Sequence, residues 1–315
     1  MKKSIALVAL AFGVTGAFAQ DLTSKKGEPF LPEAGDYGIS VDATPFLNYA
    51  GNFFGKSANN TAPTWNFLNG NNTIVGKYFK DANTAYRVGL RLGFGSTTTK
   101  SMVDNRGDDP ATGSYPDAQT MVENKWKAGK TNVGITVGLE KRRGKTRLQG
   151  IYGADLGIWV GSSKDKFTYG NALVVNSTSG TAPNVGVSGA DAFSGANNVV
   201  ANPGIVGMDA GTSARITTRK NGMTLSVGVR AFIGAEYFVA PKVSIGGEFG
   251  WGLGYTMTGA SKTTYESTGV STGATQNSIG TTEIKGDKSS SFGLDTDNKN
   301  GVFGPSAALR LNFHF

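Results

Sequence analysis

The chain has 315 residues, with 31 Lys and Arg against 23 Asp and Glu, one histidine, 46 glycines and no cysteine. Without cysteine there are no disulfides, no thiolate chemistry and no Cys-ligated metal, and a formal net charge of +8 raises the question of nucleic acid. No basic stretch is interleaved with stacking aromatics, however, and Lys141-Arg142-Arg143-Gly144-Lys145 reads as a turn, so nucleic acid is not an expected partner.

In chain order, Met1-Lys2-Lys3 is a short positive region, Ser4 to Phe18 is apolar and small, and Ala17-Phe18-Ala19 fits the small-x-small cleavage rule. The expectation is a secretory signal peptide over residues 1–19, removed before Gln20, which takes Lys2 and Lys3 away and leaves +6. A lipid anchor would need a cysteine at that point and is excluded. Beyond residue 20 no apolar run reaches the ~20 residues of a membrane helix. A membrane barrel stays open, because only alternate residues of its strands must be apolar. Residues 20–35 alternate in no useful way and read as a disordered periplasmic leader.

From residue 36 to 315 period-two alternation dominates, the signature of strands with two unlike faces. It is clearest over 223–237, where Met223, Leu225, Val227, Val229, Ala231, Ile233, Ala235 and Tyr237 alternate with Thr224, Ser226, Gly228, Arg230, Phe232, Gly234 and Glu236. A second run, 243–257, sets Val243, Ile245, Phe249, Trp251, Leu253, Tyr255 and Met257 against glycine, Ser244, Glu248 and Thr256. Six more stretches read alike, near 36–50, 72–79, 84–96, 130–141, 146–161 and 302–315. Most are longer than the ~5–6 residues usual for soluble strands and match the ~9–11 that cross a bilayer at a tilt.

Short and long connections then alternate. Lys80-Asp81-Ala82-Asn83, Arg142-Arg143-Gly144-Lys145 and Ala240-Pro241 are turns, whereas about 51–71, 97–129, 162–222 and 258–301 are long. That is the rhythm of periplasmic turns and external loops, with both termini periplasmic. The predicted fold is all-β: an up-and-down antiparallel transmembrane barrel of eight strands. Ten strands would result if Phe167-Thr168-Tyr169 and Leu173-Val174-Val175 formed a further hairpin in the third loop.

Aromatics gather at strand ends as an interfacial girdle would: Tyr37, Tyr78, Phe79, Tyr86, Tyr237, Phe238, Phe313 and Phe315 on the turn side, and Tyr49, Phe53, Phe54, Trp251 and Tyr255 toward the loops. The end, Leu309-Arg310-Leu311-Asn312-Phe313-His314-Phe315, resembles the terminal signal by which the barrel-assembly machinery recognises its clients, with Phe313 and Phe315 as its anchors. In architecture over 36–315 the chain resembles the small eight-stranded outer-membrane barrels of the OmpA, OmpX and OmpW kind. No residue-level motif is shared, so the resemblance implies an outer-membrane location and lipid contacts but carries over no functional site. The peptidoglycan-binding domain that OmpA-type proteins often append has no counterpart in the sequence given.

Alternation also assigns the inward face, which carries Asp42, Glu140, Asp155, Glu236 and Glu248 against Lys77, Arg87, Arg91, Arg147, Arg230 and Arg310. An eight-stranded barrel is only just wide enough for its own side chains. The expectation is therefore an ion-pair network that plugs the lumen. Catalysis is not expected, because the one histidine, His314, lies at the periplasmic end; no cofactor or metal is expected either. Asp104, Asp108 and Asp109, and the segment from Asp295 to Gly301, offer oxygen ligands for calcium; the second departs from calcium-loop spacing by Lys299 at a ligand position and Gly301 one residue late, and both read as solvated loop acids.

Two minor features complete the reading. Arg106-Gly107-Asp108 in the second long loop could serve adhesion to host or neighbouring cells, and Pro45 and Pro305, unable to donate to a ladder, could weaken the seam between first and last strands. The expected function is anchorage of large surface loops for interaction, adhesion or envelope structure. The alternative is a small diffusion pore or a lateral gate for lipid-soluble solutes.

Overall fold

The computed structural model describes residues 22–55, 74–107, 120–175, 185–201, 203, 213–272, 275–295 and 307–315. The fold is all-β and antiparallel. Its elements in order are β1 (Tyr37–Asp42), α1 (Thr44–Phe54), β2 (Ile74–Asp81), β3 (Thr84–Asp104), β4 (Met121–Arg143), β5 (Leu148–Thr168), β6 (Val199–Ala201), β7 (Ser213–Lys220), β8 (Thr224–Ala240), β9 (Val243–Thr258), β10 (Lys262–Thr272), β11 (Thr275–Lys285), β12 (Ser289–Asp295) and β13 (Ala307–His314). Each of β1, β2, β3, β4, β5, β8, β9 and β13 pairs with the next of that series. Strand β13 also pairs with β1, placing Asp42 opposite Arg310. The members are uneven, with 6 residues in β1 and 8 in β2 and β13 against 21, 23 and 21 in β3, β4 and β5.

Period two sorts these strands into two faces. Buried positions include Arg87, Arg91, Glu140, Asp155, Arg230, Glu236 and Glu248, whereas Val88, Leu90, Leu92, Ile135, Val137, Leu156, Ile158, Ile233, Phe249 and Leu253 are exposed. The polarity is inverted relative to a water-soluble core: charges are buried and aliphatic side chains face out. The apolar rows end near one level: Leu92, Val133, Val160, Leu225 and Met257 are consecutive register partners across β3, β4, β5, β8 and β9, with Phe94 two residues beyond Leu92 and Met223 two residues beyond Leu225. At the turn end Tyr37, Tyr78 and Tyr86 are likewise register partners.

Several expectations change. The first predicted strand, 36–50, stops at Asp42, and α1 follows with Pro45 as its second residue. Proline is suited to a first helical turn because its missing N–H has no partner there anyway. Pro45 therefore does not sit in a seam strand, while Pro305 lies outside the described residues. Among the described residues the later long connections carry much strand: β3 and β4 continue paired to Asp104 and Met121, and β5 runs on to Thr168. Phe167 and Thr168 belong to β5, and Val174 bridges Val185, so the extra strands are β6, β7, β10, β11 and β12 rather than a hairpin over 167–175. The predicted signal peptide, 1–19, and most of the first predicted long connection, about 51–71, fall outside the described residues.

Residues 22–35 are packed, not disordered. Phe30 is buried, the Lys242 amide donates to its carbonyl at 3.1 Å, and the Arg147 guanidinium lies 3.6 Å from its ring centroid. The Gly35 amide donates to Phe79 at 2.8 Å, and the Lys242 ammonium pairs with Asp36. Burial works against the Asp36 carboxylate, but the Lys242 hydrogen bond and the Glu33 amide outweigh it and hold its pKa below the ordinary 3.8. A carboxyl depressed on folding stabilises above its unfolded pKa, and that contribution fades as pH falls through the folded value. Hydrogen-exchange protection over 22–36, taken relative to the intrinsic rate at each pH, should therefore hold from neutral pH down to about pH 4 and fall below it. Asp36→Asn should already be fast at neutral pH; a wild type with no acid step would show that the pair does not hold the segment.

Candidate functional site

Buried side chains of strands far apart in sequence meet in one network. Arg87 on β3 lies 3.4 Å from Glu140 of β4, 3.5 Å from Asp155 of β5 and 3.1 Å from Glu248 of β9. Glu140 also takes Lys77 at 2.9 Å and Arg142 at 3.1 Å. Arg142 bridges on to Glu236, which His314 contacts at 3.1 Å and the Ser244 hydroxyl donates to. Arg230 pairs with Glu248 and lies 3.7 Å from Asp155.

Register explains the spacing: Lys77, Arg87, Gly138, Asp155, Arg230 and Gly252 are consecutive partners around β2, β3, β4, β5, β8 and β9. Glycine at Gly138 is required, because a Cβ there would fall 2.0 Å from the Asp155 carboxylate. At the turn end the interior is closed by rings. Phe79 and Phe238 are fully buried, 5.3 and 5.5 Å from the His314 ring, and Arg142 lies 4.9 Å over Phe79.

Of the inward residues read from the sequence, Lys77, Arg87, Glu140, Asp155, Arg230, Glu236 and Glu248 join this network, and Arg91 is buried four residues further along β3 than Arg87. Asp42 and Arg310 stand opposite each other across β1 and β13. Arg147 instead stacks on Phe30 of the leader. Two members were missed. Arg142, read as a turn residue, ends β4 on the same face as Glu140, and His314 is a network member rather than a lone terminal residue. Phe79 and Phe238, read as girdle aromatics, point inward; Phe313 and Phe315 are exposed.

Above the network is a cavity of about 500 Å³, with Trp159 among its lining together with Asn132, Thr224, Ser226 and Thr258. The Trp159 ring lies on the sheet itself: a Cβ at Gly134 or Gly157 would come within 2.1 and 1.8 Å of it. Beyond the cavity the long connection forms its own small core. Phe167, Phe193, Ala196 and Ile216 pack with Trp126, Tyr169, Val200 and Tyr265. Asp191, fully buried, takes Arg106 at 2.7 Å and Arg215 at 3.3 Å, and its carboxylate also accepts from the Ser188 amide. Tyr169 donates to the Ile216 carbonyl at 2.6 Å, and burial pushes its hydroxyl up to about 12. Arg106, the first residue of the adhesion tripeptide, is thus engaged within this cap, while Asp108 lies outside the described residues.

No known family, curated protein or solved structure matches the chain. Among the described residues no group of His, Asp and Glu is placed to hold a metal. What the arrangement offers chemically is charge neutralisation across a narrow interior, a polar cavity above it and a folded cap outside.

Proposed function

We propose that the chain is an outer-membrane β-barrel of eight strands, its lumen plugged by the Arg87–Glu140–Glu248 network, that anchors a folded external cap for interaction, adhesion or envelope structure. The inverted surface is the observation that carries this reading. The buried charges of the network, Lys77, Arg87, Glu140, Arg142, Asp155, Arg230, Glu236 and Glu248, would be a poor core for a water-soluble domain, and the exposed aliphatic rows would be a poor surface. The rows run from Tyr86 to Phe94 on β3 and from Ile245 to Met257 on β9. At ~3.4 Å per residue and a tilt of ~40° these stand roughly 20–30 Å tall, the height of an outer-membrane apolar band. The circuit of pairings through β13 and β1 supports closure, and the registered tyrosines support an interface at the turn end.

The test is planar-bilayer conductance of the refolded chain. The wild type should be silent, and Arg230→Ala and Glu248→Ala should each leak, since either change removes a partner from the belt across the lumen. The cavity beside Trp159 favours a second reading, a small diffusion pore; a wild type with steady conductance of nanosiemens size would establish it and overturn the plug.

A further inference from the structure

A row of lysines lies on the outer face just above the level where the apolar rows end. Lys164 of β5 is the register partner of Lys220 on β7, which partners Lys262 on β10, which partners Lys285 on β11. All four are exposed. Lys127 on β4 and Lys166 on β5 partner each other two residues higher, and Lys100 and Lys125 partner each other two residues higher again. Of these eight, Lys262 is paired with Glu283 at 3.3 Å and Lys100 with Glu123 at 2.8 Å; the others make no ion pair among the described residues.

Like charges directly opposite on neighbouring strands destabilise a sheet. Four side by side, at ~4.8 Å per strand, concentrate positive charge over about 15 Å. A surface facing only water would gain by mixing signs, so this row is suited to a counter-charge supplied from outside the chain.

Its height identifies the source. Gly129 and Lys164 are register partners four residues beyond Val133 and Val160, where the apolar rows end. Four residues of tilted strand rise about 10 Å, into the headgroup layer, and a lysine stem lets the ammonium reach downward from there. A groove of about 410 Å³ marks the junction, lined by Phe94, the last apolar residue of its row, with Ser96, Thr131, Ser162 and Lys164. It offers a ring for an acyl chain beside hydroxyls and an ammonium for a phosphate. The geometry points to a collar that binds phosphorylated lipid headgroups of the outer leaflet, with Lys164, Lys220, Lys262 and Lys285 as its first tier. This inference rests on the membrane reading above.

The experiment uses the full chain in nanodiscs of phosphatidylcholine containing lipid A or its dephosphorylated form, with lipid retained after detergent extraction counted by native mass spectrometry. A lysine near an anionic surface contributes roughly fivefold in affinity, so a quadruple K164Q/K220Q/K262Q/K285Q variant should lose at least about tenfold in lipid A retention even when screened. The double variant K164Q/K220Q should lie between, guarding against misfolding of the quadruple. A control quadruple at the opposite end, K25Q/K26Q/K80Q/K145Q, should retain lipid A like the wild type. Equal retention by the collar variants, equal retention of the dephosphorylated lipid, or full displacement by inorganic phosphate or heparin would each overturn the collar. Failure of the wild type to insert into any disc would overturn the membrane reading itself, and protease digestion of the unprotected strands reports that separately.

Discussion

Glu140→Ala is expected to destabilise the fold by about 3–5 kcal/mol, the cost of removing one partner from a buried charge pair. The reason lies in what the carboxylate holds. Glu140 is fully buried and has three cationic partners: Lys77, Arg87 and Arg142. Arg87 keeps Asp155 and Glu248 after the change, and Arg142 keeps Glu236. For Lys77 the one ion pair described is the one to Glu140, so the change strands its ammonium in the interior. Adding Lys77→Met to Glu140→Ala should therefore recover part of the loss, because the stranded charge is removed with its partner. Glu140→Gln should fall between wild type and Glu140→Ala, keeping the shape and part of the hydrogen bonding without the charge. Urea unfolding in bilayers, followed by tryptophan fluorescence, measures all four proteins. A loss under about 1 kcal/mol would place these charges in the range of solvated surface pairs. The interior would then be wet, and the pore reading would gain what the plug loses.

What could be read from the sequence follows the physics of contrast. Alternation is visible only where the two faces differ, and they differ most where one is apolar. Over 84–94 and 243–257 the aliphatic rows gave both the strands and the inward charges Arg87, Arg91 and Glu248. Beyond Phe94, Val133 and Val160 both faces are polar, so Thr97–Asp104 and Met121–Gly129 read as loop although they are paired strand. Arg142 was lost for a narrower reason: its cluster of basic neighbours looked like a turn, yet its parity with Glu140 was already in the sequence. The start of α1 had a local signal in Pro45, overridden by the apparent alternation of 36–50. Asp191 had none. Its two arginines come from positions 85 residues before and 24 residues after it in the chain, and only tertiary packing brings them together.

Asp191→Ala is expected to unfold the cap while leaving β1–β5, β8, β9 and β13 standing. The carboxylate is fully buried beneath Arg106 and Arg215, and Arg215 is itself buried, 4.1 Å over the Tyr169 ring. Removing Asp191 leaves Arg215 with Glu266 at 2.6 Å as its described partner and takes away one half of the capping box of the 3-10 turn at Gly189–Asp191, the bond from the Ser188 amide. The local loss should again approach about 3–5 kcal/mol, but it falls on a unit whose ties to the remainder run through the far ends of β3, β4, β5 and β10. Such units open independently when their own contacts fail. Limited proteolysis should then cut within 185–201 at rates at least about tenfold above wild type, with the urea midpoint of those eight strands nearly unchanged. Asp191→Asn, which still accepts from the Ser188 amide, should be milder. If the strands instead lose stability in step with the cap, the two form one cooperative unit, and the cap helps to hold the strands beneath it. If they separate, the cap is a folded surface of its own. A partner would then meet a fixed arrangement of side chains rather than a flexible loop, and cap variants could be tested for adhesion without disturbing the anchor.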